Sequence, residues 1–335
     1  MTNDKQLLNM IFSVNDNSFL KVCNDLFQYQ LLHNPVYFDW FRLVKPEPLF
    51  IDLPKSSEEL LGQVSFLPIS FFKSHEVKTT KFKPVRTFES SGTTKQNTSK
   101  HHVKFLRVYE ESFLKAFQLF YGDIKDYCVL ALLPSYLERQ NSSLVTMADK
   151  LIKLSGHPNS GFYLDDLETL HSTLLTLEAN KQKTLLLGVT FALLDFSEAY
   201  PMQLKHTTVM ETGGMKGRKK EMTRFEVHEI HTKNLGVETI HSEYGMTELL
   251  SQAYSFGNGI YRCPPWMKVF VRSEDDPMSV STQGKGILNV IDLANLYSCS
   301  FIATDDVGIV YPDGSFEVLG RLDSSDIRGC SLLVV

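Results

Sequence analysis

The chain has 335 residues, with 34 lysines and arginines against 39 aspartates and glutamates and a formal net charge of -5 at pH 7. It is long enough to bury a sizeable core, and its charge balance excludes a general attraction to nucleic acid or anionic lipid. No apolar run approaches the roughly 18 residues of a membrane span. The first residues are polar and lack a signal-peptide core.

The five cysteines, Cys23, Cys128, Cys263, Cys299 and Cys330, are scattered and contain no Cys-x-x-Cys pair. They offer neither a disulfide framework nor a structural zinc site. A reduced, cytoplasmic protein is expected, with no nucleic-acid partner and no membrane span. The 23 phenylalanines suit a large core or an apolar ligand channel.

Residues 1–85 read as mixed helical. Apolar residues recur at helical spacing over 19–32, and Asn34-Pro35 ends that helix. Residues 67–73 read as extended and buried. From 86 to 255 strand and helix alternate. Apolar runs at 128–133, 184–188, 207–211 and 237–240 read as strands, with a helix between at 163–180. A further helix starts at the capping box Thr223-Arg224-Phe225-Glu226 and stops at Gly236.

Short apolar strands separated by helices imply a largely parallel sheet covered on both faces. Ligands of such sheets sit at the carboxyl ends of the strands. Residues 256–335 change pattern. Runs at 267–271, 286–291, 300–303 and 316–319 read as strands, and Pro312-Asp313-Gly314 reads as a hairpin turn. This part is expected as a smaller antiparallel lobe on the same core, so residues 1–335 form one domain.

Several strings carry chemistry. Ser90-Ser91-Gly92-Thr93-Thr94, followed by Lys95 and Lys100, gathers hydroxyls, a glycine and cations suited to phosphate. It is not a Walker loop. Its plain alternative is a solvated polar loop. In Ser242-Glu243-Tyr244-Gly245-Met246-Thr247-Glu248, a tyrosine beside glycine suits adenine stacking. Thr247 suits an α-phosphate, and Glu248 suits Mg²⁺. Its plain alternative is a strand running into a helix start.

Asp306, in Thr304-Asp305-Asp306-Val307-Gly308, suits ribose hydroxyls, and Arg321 after Gly320 suits ribose or phosphate; an acidic turn and a surface arginine are the alternatives. The basic run Lys216-Gly217-Arg218-Lys219-Lys220 after Gly213-Gly214 is either a solvated helix start or a polyphosphate landing site. His228-x-x-His231 and His101-His102 have metal-like spacing without a persuasive third ligand. Neither Gly-x-Ser-x-Gly nor Gly-x-Gly-x-x-Gly occurs, against an α/β-hydrolase or a dinucleotide enzyme.

Taken in order, these strings, with residues 68–73, Ser99-Lys100-His101, Gly188-Val189-Thr190-Phe191, Met210-Glu211-Thr212-Gly213-Gly214 and Arg328-Gly329-Cys330, resemble the LuxE-type acyl-protein synthetases. These are a branch of the adenylate-forming ligases related to phenylacetate–CoA ligase. The resemblance covers nearly the whole chain. It implies an α/β fold like the large N-terminal domain of those ligases, with mostly parallel sheets covered by helices and a smaller antiparallel β lobe. Five residues follow Cys330, so the usual C-terminal lid is expected to be absent, together with the lysine it contributes.

The resemblance further implies ATP- and Mg²⁺-dependent activation of a fatty acid to acyl-AMP, then acyl transfer to a protein thiol or another acceptor. Ser91, Gly92, Thr93 and Thr94 would embrace the phosphates. Gly213, Gly214, Tyr244 and Gly245 would frame adenine, Thr247 would touch the α-phosphate and Glu248 would hold Mg²⁺. Asp306 and Arg321 would hold ribose, and Lys95 or Lys100 would have to stand in for the lid's lysine. Phe191 and Leu193 would line the acyl channel, and Cys330 would carry the acyl group; its plain alternative is a small buried apolar residue closing the final strand. Two other readings are an AMP-forming acyl- or aryl-CoA ligase and a non-catalytic subunit that binds a carrier or reductase partner.

Overall fold

A computed structural model of the chain describes residues 3–45, 53–90, 98–134, 139–213 and 222–322. The amino-terminal part is helical, as expected: α1 (Asp4–Ile11), α2 (Asp16–His33), α3 (Pro35–Val44) and α4 (Ser57–Gln63). Asn34 serves two helices. It closes α2, and its side chain accepts the Tyr37 N–H at 3.1 Å to start α3, with Pro35 in the first turn.

The segment expected to be extended over 67–73 is split. Only β1 (Leu67–Pro68) is extended, and α5 (Phe71–Ser74) follows. The split follows from pairing, because β1 runs parallel to a later strand only at Leu67 and Pro68. Beyond that point the N–H groups of Phe72 and Lys73 bond the carbonyls of Ile69 and Ser70 in a local turn. Next come the hairpin strands β2 (Arg86–Glu89) and β3 (Lys100–Val103), which pair antiparallel and separately from the main sheet.

The central unit is α6 (Leu106–Tyr121), β4 (Cys128–Leu132), α7 (Ser143–Ser155), β5 (Gly161–Phe162), α8 (Leu167–Ala179), β6 (Thr184–Val189), α9 (Thr190–Ala199), β7 (Thr207–Thr212), α10 (Arg224–Leu235) and β8 (His241–Tyr244). These strands are parallel, in the spatial order β5-β4-β6-β7-β8. Alternation along β4 shows both faces covered. Val129 and Ala131 pack with Tyr109, Phe113 and Met147 of α6 and α7. Leu130 and Leu132 pack with Leu174, Leu193 and Leu235 of α8, α9 and α10.

The capping box at Thr223 forms, and Gly236 closes α10 in the left-handed region at φ 64°. The strand expected at 237–240 is displaced to His241–Tyr244. Its ladder with β7 begins only at the pair Met210 and His241, so 237–240 is a connection to the strand in which Ile240 is buried while Glu238 and Thr239 face solvent.

The sheet continues antiparallel through β9 (Ala253–Ser255), β10 (Ile260–Arg262), β11 (Met267–Arg272), β12 (Val280–Ser281), β13 (Gly284–Asp292), β14 (Phe301–Val310) and β15 (Phe316–Arg321). Beyond β8 the order is β9-β10-β15-β14-β13-β11-β12. The expected hairpin joins β14 to β15, with Gly314 at φ 79° and the Tyr311 N–H bonded to the Ser315 carbonyl at 2.8 Å. The amino-terminal helices pack on this half. Phe27 of α2 and Tyr37 of α3 meet Phe301 of β14 at 5.6 and 5.7 Å. Among the described residues no helix is long and apolar enough to cross a membrane.

Candidate functional site

The parallel strands β6, β7 and β8 deliver Thr190, Gly213 and Gly245 to one edge of the sheet, where open α/β sheets bind ligands. Gly213 sits at φ 73°, in a region that glycine enters without steric cost. Gly245 has another constraint. A Cβ there would lie 2.4 Å from Oε1 of Glu243 and 3.4 Å from Cγ of Gln252.

Three of the expected nucleotide residues come together. The Tyr244 hydroxyl donates to Oδ2 of Asp306 at 2.9 Å, and Nε of Arg321 lies 3.7 Å from Oδ1 of the same carboxylate. β14 and β15 place Asp306 and Arg321 opposite each other in register. Tyr244 is 8 % exposed, edge-on to Phe316 at 5.3 Å and tilted against Tyr261 at 5.9 Å. Burial raises the Asp306 carboxyl above its ordinary value, opposed by the Arg321 charge and the Tyr244 hydrogen bond. Burial likewise pushes the Tyr244 phenol well up, and Asp306 adds to the shift.

Thr247 and Glu248 lie in a turn rather than at a helix start. Thr247 is half-buried and Glu248 is buried. Nδ1 of the buried His101 is 2.9 Å from the Thr247 carbonyl. Burial lowers His101 to about 4, so the imidazole is neutral and donates through Nδ1–H. Burial raises the Glu248 carboxyl, against a hydrogen bond from Ser99 and the charges of Arg321 and Lys73. Ser99 also donates its N–H to the Ser90 hydroxyl at 3.0 Å, across the base of the β2–β3 hairpin. The Thr247–Glu248 turn is thus wedged between the hairpin and the β14–β15 pair.

Ser91, Gly92, Thr93, Thr94, Lys95, Gly214, the basic run 216–220 and Cys330 lie outside the described residues. Lys100 is exposed at the start of β3. Phe191 is half-buried in the first turn of α9, whereas Leu193 has no exposed surface and packs on Leu132 beneath Gly188. Of that pair, Phe191 has surface to offer a ligand.

Two carboxylates at this edge received no role from the sequence. Glu211 of β7 accepts from the Thr190 hydroxyl and lies 2.8 Å from Nε2 of His228 on α10. Burial raises its carboxyl, but the His228 and Thr190 hydrogen bonds outweigh burial and hold it below the ordinary value. Glu243 accepts from the Thr212 hydroxyl, and burial pushes its carboxyl up to about 7. The sequence signal for Glu211 was a charged residue at the end of an apolar strand run, at Val209-Met210-Glu211, whereas Glu243 sits in the polar string His241-Ser242-Glu243 and gave none.

Glu243 makes a testable contribution to stability. Its folded-state value lies above the ordinary carboxylate value, so the folded protein holds a proton that the unfolded chain releases. The stabilisation is present at acid pH and is lost as pH rises through about 7. The thermal midpoint of the wild type should therefore fall more steeply than that of Glu243→Gln between about pH 5 and about pH 8. Parallel curves would remove this assignment.

The fold is the α/β fold of the large domain of adenylate-forming ligases. An ATP-bound MatB from Rhodopseudomonas palustris is similar at 17 % identity and a TM-score of 0.53, over 72 % of this chain and 50 % of that one. An ATP-bound RpMatB-BxBclM chimera matches at 15 % identity and the same TM-score of 0.53, over 72 % and 50 %. The chain therefore spans about half the length of these solved structures. No curated protein matches it. The family described as acyl-protein synthetase, LuxE, matches residues 57–335, and the chain belongs to that family.

Proposed function

We propose that the protein joins a fatty acid to AMP at the expense of ATP and then passes the acyl group to a thiol. The observation that carries this reading is the gathering of Tyr244, Asp306 and Arg321 beside Glu248 at the carboxyl edge of the sheet. A carboxylate oxygen attacks the α-phosphorus, a P–O bond forms, the α–β anhydride bond breaks and pyrophosphate leaves. Such a step needs positioning and charge stabilisation more than side-chain covalent chemistry.

In this reading Asp306 and Arg321 hold the ribose. Tyr244, Gly245, Gly213 and Gly214 frame the base, and the Thr247 hydroxyl meets the α-phosphate. Ser91, Gly92, Thr93 and Thr94, with Lys100, meet the β- and γ-phosphates, and Phe191 borders the acyl chain. The donors fit a magnesium ion. Among the described residues no three His, Cys, Asp or Glu side chains are grouped to hold a metal alone. Glu248 would supply one carboxylate oxygen and the phosphates and water the rest, which is how magnesium is commonly bound beside nucleotides. The ion would supply charge neutralisation on the phosphates.

For the second half-reaction the acceptor is Cys330. Its thiolate attacks the acyl carbonyl, a C–S bond forms, the C–O bond to AMP breaks and AMP leaves. Support comes from the other cysteines. Burial raises the thiols of Cys23, Cys128, Cys263 and Cys299, with Cys128 at about 11 and Cys299 at about 12, which leaves them poor nucleophiles. We read residues 1–335 as one cytoplasmic adenylation domain whose partners are the acid and a carrier or reductase protein that takes the acyl group onward.

The test is a panel of carboxylic acids assayed for acid-dependent pyrophosphate release, with hydroxylamine trapping of the acyl group. Medium or long fatty acids are expected to respond, each buried methylene adding roughly 0.8 kcal/mol until the channel is full. A hydroxylamine-sensitive acyl label is expected on the protein and is lost in Cys330→Ser. Preference for acetate or aromatic acids refutes the chain class. Free CoA thioester without protein label favours a CoA ligase. No release with any acid, or no ATP binding, favours a non-catalytic subunit.

A further inference from the structure

Behind the Thr247–Glu248 turn lies a fully buried polar corner that the proposed chemistry does not use. Asp292 ends β13 and is 0 % exposed. Its Oδ2 accepts the backbone N–H groups of Leu250 at 2.8 Å and Ser251 at 3.0 Å. Its Oδ1 accepts the Ser251 hydroxyl at 2.6 Å and the Ala294 N–H at 3.0 Å. Asn295, also 0 % exposed, donates through Nδ2 to the carbonyl of Glu248 itself at 2.9 Å.

The corner is anchored from outside the sheet. Gln30 of α2 donates to the carbonyls of Asn295 at 2.9 Å and Leu296 at 3.1 Å, and accepts the Ser300 N–H at 3.0 Å. On the other flank, His101 holds the Thr247 carbonyl.

A buried carboxyl is costly unless its oxygens are satisfied. Here the compensating bonds do not extend a ladder. Apart from the bond to Ala294, they run to the limb that leaves the turn, two and three residues past Glu248. A solvated loop over an apolar residue would close the same fold without that cost, but would leave the turn's backbone free to shift.

We infer that Asp292 and Asn295 are positioning residues which bracket the Thr247–Glu248 turn and hold the Glu248 carboxylate in place between the β2–β3 hairpin and Arg321. The inference rests on the reading of Glu248 as the acidic residue of the phosphate site. It adds a fixed backbone behind that residue, braced by a helix that precedes the family-matched region.

The test uses the full chain with Asp292→Asn and, as a milder change that removes one donor, Asn295→Ala. Three quantities are read: pyrophosphate release at saturating acid and ATP, AMP affinity without metal, and amide exchange over residues 245–252. Asp292→Asn should lower kcat on the order of 10²-fold through misplacement. Asn295→Ala should raise the Mg²⁺ requirement by about tenfold, as loss of a supporting partner does at metal sites. AMP affinity should stay unchanged in both, and the Leu250 and Ser251 amides should exchange faster in Asp292→Asn.

Unchanged kcat and Mg²⁺ requirement in both folded variants overturns the inference. So does a loss of AMP affinity in step with kcat, which marks a merely structural role. If the wild type releases no pyrophosphate with any acid, the functional reading fails instead, and unchanged exchange at Leu250 and Ser251 then overturns the bracket by itself.

Discussion

Glu248→Gln should reduce acid-dependent pyrophosphate release on the order of 10²-fold or more while AMP still binds. The side chain is 5 % exposed and held by Ser99, and burial raises its carboxyl. Arg321 and Lys73 act on it through charge and counter that shift. Glutamine keeps the shape and an oxygen acceptor for Ser99 but removes the negative charge. The loss should therefore fall on the metal-dependent step. A titration with Mg²⁺ decides the matter: the variant should need much more metal, with the AMP affinity measured without metal unaltered. Wild-type release at ordinary Mg²⁺ would sink the assignment.

Asp306→Asn should weaken AMP binding by about 1.5–3 kcal/mol, the worth of a hydrogen bond to a charged group, or roughly ten- to a hundredfold in Kd. Asparagine keeps an acceptor for the Tyr244 hydroxyl at a site where that bond measures 2.9 Å. The fold around Tyr244, Tyr261 and Phe316 should survive, and the lost charge alone is read. Arg321→Ala should cost less. Its side chain is 59 % exposed and its contact with Asp306 is 3.7 Å, and exposed pairs contribute little. Calorimetry with AMP separates the two variants. Equal Kd values for wild type and Asp306→Asn would remove Asp306 from the ribose.

Much of this site was legible because the relevant signals are local. A glycine pair after an apolar run marks a strand end with a left-handed turn, and Gly213 adopts one. Thr223 with Glu226 marks a helix start through two reciprocal hydrogen bonds, and both form. Pro312-Asp313-Gly314 marks a hairpin, because Asp313 can bond the backbone two residues on. Local reading failed where pairing decided the outcome. Nothing within 237–240 says that β7 first meets its neighbour at His241. Nothing within 67–73 says that β14 accompanies the chain for only two residues.

The sequence by itself determined the alternation of strand and helix, the chain order of the motifs and their arrival at strand ends. Periodicity, capping and turn chemistry act over a few residues and are written in neighbouring side chains. Only the tertiary structure decided which polar groups became buried and what they hold. Glu243 is an ordinary carboxylate in the sequence, yet burial beneath Gly245 pushes its carboxyl up to about 7. Asp292 and Asn295 carry no signal in the sequence, yet both are 0 % exposed behind Glu248, and Gln30 reaches the Asn295 carbonyl across 265 residues of chain. Burial and satisfaction of a polar atom depend on partners far away in sequence, and those partners are set by how the helices and the sheet pack.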